Sequence, residues 1–199
     1  MKKIHLLITL VCTTLNGASP YPVFSKNGMV VSTSQQASEV GIQILMQGGN
    51  AVDAACAVGF ALAVTSSSNG NIGGGGFMVV RMADESTFTL DYREIAPATA
   101  HRDMYLDADG NVIENMSLRT RASVGVPGTV DGLLKAWEDH GSGNISRREL
   151  LDQAISLAEK GFELSHYEAS RFNNYKELFS RNEAAAAVFI RKDGRQWKA

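Results

Sequence analysis

Asn50-Ala-Val-Asp-Ala-Ala-Cys-Ala-Val-Gly-Phe-Ala-Leu-Ala-Val64 decides the fold, because almost every residue after its asparagine is small or apolar. A helix without a polar face is buried on all sides. Side chains this small also bring neighbouring backbones close, so the segment reads as the central helix of a layered domain. Asn50 caps its start, and Asp53, three positions on, is placed to reach back or to favour the helix dipole. Upstream, Gln35 to Gln47 carries Ala37, Val40, Gly41, Ile44 and Leu45 at the 3, 4, 7 and 8 spacings of one apolar stripe. Gly48-Gly49 ends that first helix.

Downstream, the loop Thr65 to Gly76 holds Asn69-Gly-Asn-Ile-Gly-Gly-Gly-Gly76. Phe77 to Met82 reads as a short apolar strand. Ala83-Asp-Glu-Ser86 turns it into Thr87 to Arg93, where Phe88, Leu90 and Tyr92 alternate with Thr87, Thr89, Asp91 and Arg93. The pair reads as a hairpin. Helices are predicted over Val130 to Asp139 and over Arg147 to Lys160. The latter opens with the capping box Ser146-x-x-Glu149 and stops at Gly161. A second capping box, Ser165-x-x-Glu168, predicts a helix to about Phe179, and Val188 to Ile190 reads as a strand. The class is therefore α/β, in a layered α+β arrangement. The chain stops at Ala199 soon after that strand, which predicts a truncated or incomplete polypeptide.

Composition narrows the function. The chain has 199 residues, 44% of them hydrophobic, enough for a packed core and inconsistent with disorder. Nineteen basic against 21 acidic residues give a net charge of −2, with no basic stripe to attract nucleic acid. Lys2 and Lys3 precede the apolar run Ile4 to Leu15, then Gly17-Ala-Ser19. This is the pattern of a secretory signal peptide over residues 1–19, leaving 20–199 as the mature, exported chain, periplasmic or secreted. The run is shorter than the ~20 apolar residues of a membrane span. Cys12 invites a lipoprotein reading, against which stands the bulky Val11 before it. Without the leader Cys56 is the sole cysteine, so neither a disulfide nor a zinc cage is expected.

Several local patterns imitate sites. The tetraglycine Gly73 to Gly76 lacks the Lys-Ser/Thr of a phosphate loop and runs into a strand rather than a helix. It reads as a closely packed strand entry, with a ligand wall beside it as a further reading. Asp107-Ala-Asp-Gly-Asn111 places glycine fourth rather than sixth and Leu118 twelfth, so it is an Asp-Gly turn and not a calcium loop. His101, His140 and His166 lack a partner at metal-ligand spacing, and no Gly-x-Ser-x-Gly elbow offers a serine nucleophile. No metal and no cofactor are expected. Arg93, bracketed by Asp91 and Glu94, leaves two readings open. It is either half of a structural ion pair or a guanidinium fork for a substrate carboxylate.

Seven pieces in order resemble the γ-glutamyltranspeptidase (glutathione hydrolase) family. They are Gly28-Met-Val-Val-Ser32, Ala37-Ser-Glu-Val40, Gly48-Gly-Asn-Ala-Val-Asp-Ala-Ala55, Gly70-Asn-Ile-Gly-Gly-Gly-Gly-Phe-Met78, Asp91-Tyr-Arg-Glu94 with Ala96-Pro97, Arg102-Asp-Met-Tyr-Leu106 and Val124-Gly-Val-Pro-Gly-Thr129. The resemblance continues weakly through Leu157 to Phe162. It implies an N-terminal-nucleophile hydrolase fold, a four-layer αββα sandwich, of which this chain is an incomplete large-subunit segment. It also implies a self-cleaving precursor, a threonine nucleophile heading the small subunit, and γ-glutamyl substrates such as glutathione. Arg93 matches the family arginine that binds the substrate's α-carboxylate, and Asp91 and Glu94 are then placed to orient its fork.

The family's Thr-Thr-His-type processing site does not occur, since Thr13-Thr14 lies in the leader; Ser67 stands where relatives commonly carry proline. No catalytic nucleophile is therefore expected in this chain, which alone should be inactive. The implied partners are the small-molecule γ-glutamyl substrate and the small subunit. The alternative is a truncated, non-catalytic paralogue that still binds glutamate or glutathione.

Overall fold

The computed structural model describes residues 22–199; the expected leader, with Cys12, lies outside them. Helix α1 spans Gln35–Met46 and α2 spans Ala51–Thr65. The predicted cap of α2 forms in full. Asn50 Oδ1 accepts from the N–H groups of Val52 and Asp53 at 2.9 and 3.0 Å, and Asp53 Oδ2 accepts from Asn50 N–H at 2.8 Å. Val52, Ala54, Cys56, Ala57, Val58, Phe60 and Ala61 of α2 are all buried, as a helix without a polar face requires.

Strands β1 (Phe77–Arg81) and β2 (Thr87–Asp91) pair antiparallel, with Met78 opposite Leu90 and Val80 opposite Phe88. These four side chains pack on the core around α2, whereas Phe77 and Val79 face outward and are exposed. Helix α3 (Met116–Arg119) is one short turn, followed by a 3-10 turn over Arg121–Ser123. Helices α4 (Thr129–His140) and α5 (Arg147–Lys160) then flank α2. At the α2–α4 crossing a β-carbon on Gly59 would lie 2.8 Å from Leu133 Cδ1, so a side chain there would force Leu133 to shift. The described residues thus form a helical layer on a two-stranded sheet.

Two predictions fail in the C-terminal part. Val188 to Ile190 is not a strand: helix α8 covers Glu183–Phe189, with Asn182 Oδ1 accepting from Ala185 N–H at 3.0 Å. The run Glu183-Ala-Ala-Ala-Ala187 has high helix propensity and a cap, which outweigh one β-branched residue. The helix expected from Ser165 to Phe179 is divided at Tyr175 into α6 (His166–Asn174) and α7 (Lys176–Ser180). After the division Phe179 stacks on Phe189 at 4.9 Å and meets Phe172 edge-on. The second capping box is also only half made. Ser165 Oγ accepts from Glu168 N–H at 3.1 Å, while the Glu168 carboxylate turns away to Ser68.

Candidate functional site

The residue that follows β2 is held by glycines from two parts of the chain. Tyr92 bonds with Gly76 through both backbone groups, at 3.0 and 3.4 Å. A β-carbon on Gly76 would press on the Tyr92 ring, and one on Gly128 or Gly132 would collide with Tyr92 itself. A side chain on Gly75 would sit 2.6 Å from Cα of Arg93 and 2.7 Å from Glu94 N. The tetraglycine is therefore a closely packed strand entry, as its sequence suggests. The Gly74 carbonyl accepts from Gly128 N–H (2.9 Å) and Thr129 N–H (3.0 Å), tying the loop to the start of α4. Beyond Arg93, Ile95 and Val126 exchange backbone hydrogen bonds of 3.2 and 2.8 Å. Residues 92 to 95 are thus pinned on both sides. Burial pushes the Tyr92 phenol up from its ordinary pKa.

Arg93 itself is exposed. Its guanidinium lies 5.6 Å from the centre of the Phe77 ring, a cation–π arrangement, and forms no ion pair among the described residues. Asp91 reaches the backbone rather than the fork: Arg93 N–H donates to Asp91 Oδ1 at 3.0 Å. Glu94 forms no hydrogen bond to Arg93 among the described residues; its stem packs near Gly125 instead. The arrangement offers a fixed backbone, an aromatic rest and a free planar cation, chemistry suited to a bidentate carboxylate.

The remaining sequence candidates fall elsewhere. The Asp107 carboxylate accepts from Asp109 and Asn111 N–H at 3.0 and 2.8 Å, and Gly110 has φ +82°, as an Asp-Gly turn requires. His140 stacks on Phe88 with ring centres 3.7 Å apart, His166 begins α6, and His101 is exposed. The Cys56 thiol donates to Leu133 O at 3.1 Å; burial, helped by the Asp53 charge, pushes its pKa up to about 12. Among the described residues no cluster of three His, Cys, Asp or Glu side chains could hold a metal, and no helix is long and apolar enough to cross a membrane. Sequence reasoning missed Gly128 and Gly132 as the walls around Tyr92. A glycine inside the otherwise periodic stretch Val130 to Trp137 was the available signal.

Comparison with known proteins agrees along most of the chain. The family model described as gamma-glutamyltranspeptidase matches residues 37–199. The glutathione hydrolase proenzyme of Pseudomonas sp. (strain A14) is 45% identical over 193 residues, which cover 96% of this chain and 33% of that protein. The Escherichia coli (strain K12) glutathione hydrolase proenzyme is 43% identical over 170 residues, 85% of this chain and 29% of its own. Among solved structures, the gamma-glutamyltranspeptidase of Helicobacter pylori superposes with a TM-score of 0.83 at 38% identity, covering 89% of this chain and 50% of that one. The Pseudomonas nitroreducens protein complexed with L-DON gives 0.77 at 41% identity, over 88% and 52%. The chain spans about a third of the length of these curated relatives.

Proposed function

Because the chain belongs to the gamma-glutamyltranspeptidase family, we propose that it is the leading part of the large subunit of an exported enzyme that hydrolyses or transfers γ-glutamyl amides such as glutathione. Its fold is that of the N-terminal part of a large subunit in the N-terminal-nucleophile hydrolase class. In this reading Arg93 grips the α-carboxylate of the glutamyl group. The nucleophile is a threonine heading the small subunit, in a segment outside this sequence, with its own α-amine as general base. An acyl-enzyme forms and passes to water or to an acceptor amine, and backbone N–H groups stabilise the tetrahedral oxyanion.

The observation that carries the proposal is the guanidinium of Arg93, without an ion pair among the described residues, on a backbone pinned from both sides. A charge-assisted fork to a carboxylate is worth roughly 1.5–3 kcal/mol. It acts as an anchor: with the invariant end of the substrate held, the γ-carbonyl is presented in one place. Asp91 supports the cation by fixing its backbone N–H. Release of p-nitroaniline from γ-glutamyl-p-nitroanilide tests the reading. The 199-residue chain alone should release none, and the same chain joined to a downstream small-subunit segment should release it. Turnover by the chain alone, abolished by changing one of its own residues, would overturn the assignment of the nucleophile.

A further inference from the structure

A cleft of about 620 Å³ opens where the start of α1, the end of α2 and the start of α6 meet. Two carboxylates, Glu163 and Glu168, line it, and no Lys, Arg or His does. Apart from Leu164, the remaining wall is hydroxyl, amide and phenol, including Ser34, Thr65, Asn69 and Tyr167.

Glu168 is 4% exposed. Its Oε1 accepts from Ser68 Oγ at 3.0 Å and from Ser66 Oγ at 3.5 Å. Its Oε2 is buried with no donor among the described residues. The cation nearest along its own helix, Arg171, is engaged elsewhere. It donates to Tyr167 Oη at 3.3 Å and lies over the Tyr167 and Tyr175 rings at 5.6 and 5.2 Å. A buried carboxylate with one empty oxygen is strongly unfavourable unless a positive group or a donor reaches it.

The helix ends reinforce the demand. Thr65 and Ser66, at the C-terminus of α2, bring the negative end of a fifteen-residue helix to the wall. The N-termini of α1 and α6 also arrive there, but Ser34 and Ser165 already cap Ala37 N–H and Glu168 N–H. Asp53 also has an orphan oxygen, Oδ1, yet it offers no comparable room. A β-carbon on Gly141 would sit 2.6 Å from it, so it is walled in by backbone.

We propose that this cleft binds a small organic cation through a primary ammonium group, with the Glu168 carboxylate, turned from its buried position towards the cleft, as the counter-charge. An ammonium carries three donors and needs several oxygen acceptors around it, which a carboxylate flanked by hydroxyls supplies. The volume far exceeds that of a bare ion, and the described residues hold no cluster of three metal-ligating side chains. The inference is independent of the role assigned to Arg93, which does not line the cleft.

Thermal unfolding of the 199-residue chain with ethylammonium, tetramethylammonium or potassium chloride at equal ionic strength tests it. Ethylammonium should raise Tm saturably and tetramethylammonium, which has no N–H, should not. Glu168→Gln should weaken the ethylammonium response at least about tenfold, the loss of one charge-assisted bond. Equal shifts from all three salts, or saturation by potassium alone, overturn the amine assignment. Should Glu168→Gln fail to fold, calorimetry on the unaltered chain decides, and equal heats from ethylammonium and tetramethylammonium sink the proposal.

Discussion

Gly75 lies back to back with Arg93: a β-carbon on the glycine would be 2.6 Å from the arginine Cα. The glycine run therefore sets where the cation stands. Gly75→Ala must displace the backbone of residues 92 to 94, and overpacking of this kind destabilises by about 1–3 kcal/mol. Gly73→Ala is the matched control. Its β-carbon meets only Asn71 Oδ1 at 3.7 Å, and the change should stay within ~0.5 kcal/mol. Urea unfolding midpoints of the two variants compare them directly, and equal midpoints would show that the close approach relaxes freely.

Arg93→Ala separates binding from folding. In a protein completed by its downstream segment, loss of the fork should raise KM about 10- to 150-fold, the equivalent of 1.5–3 kcal/mol. Self-cleavage into subunits should continue, because among the described residues Arg93 makes no ion pair that would support the fold. Arg93→Lys should recover only part of the affinity, since an ammonium cannot form the bidentate pair. Failure of self-cleavage in Arg93→Ala would make the residue structural.

Asp53 joins two loops that sequence places far apart. Its Oδ2 accepts from Asn50 N–H at 2.8 Å and from Ser142 N–H at 3.0 Å, and the side chain is fully buried. Asp53→Ala leaves both donors without a partner and should destabilise the chain by about 2–4 kcal/mol. Asp53→Asn, which keeps one oxygen acceptor, should lose less. Equal losses in the two variants, measured by chemical denaturation, would rule out the shared acceptor as the cause.

The central helix and hairpin were legible in the sequence because their signals are local. A run such as Ala54 to Leu62 without a polar face has only one solution in water, and the alternation at Phe88, Leu90 and Tyr92 assigns the inward face. Arg93 stood out as a charge at the end of that alternation. Long-range partners were not legible. The capping-box pattern at Ser165 and Glu168 describes four residues, whereas the Glu168 carboxylate answers to Ser66 and Ser68 about a hundred positions earlier. Val188 was misread for the same reason in reverse, a β-branched residue judged apart from the alanines that precede it in α8.

The hairpin predicts association. Among the described residues both strands have an unpaired edge in the two-stranded sheet, and Val79 and Phe77 are 81% and 63% exposed on its outer face. Open edges bearing apolar side chains template pairing with other chains. The 199-residue chain should self-associate with rising concentration, and Val79→Lys should reduce that association without unfolding the helices. Sedimentation velocity over a concentration series, with circular dichroism alongside, gives both readings. Unchanged association in Val79→Lys would exonerate this face.

Cys56 gives stability a defined dependence on alkaline pH. Its thiol, ordinarily near 9.0, is pushed up to about 12 by burial, with the Asp53 charge adding to the effect. The unfolded chain releases the proton above pH 9 and the folded chain holds it, so the contribution is complete below pH 9 and lost as pH rises towards 12. Over that window stability should fall by up to about 1.4 kcal/mol per pH unit from this group. Cys56→Ala should start less stable, because a buried side chain is truncated, yet show a shallower alkaline decline. Urea titrations of both proteins from pH 8.5 to pH 11 measure the two slopes. Parallel slopes would mean that other groups govern the loss.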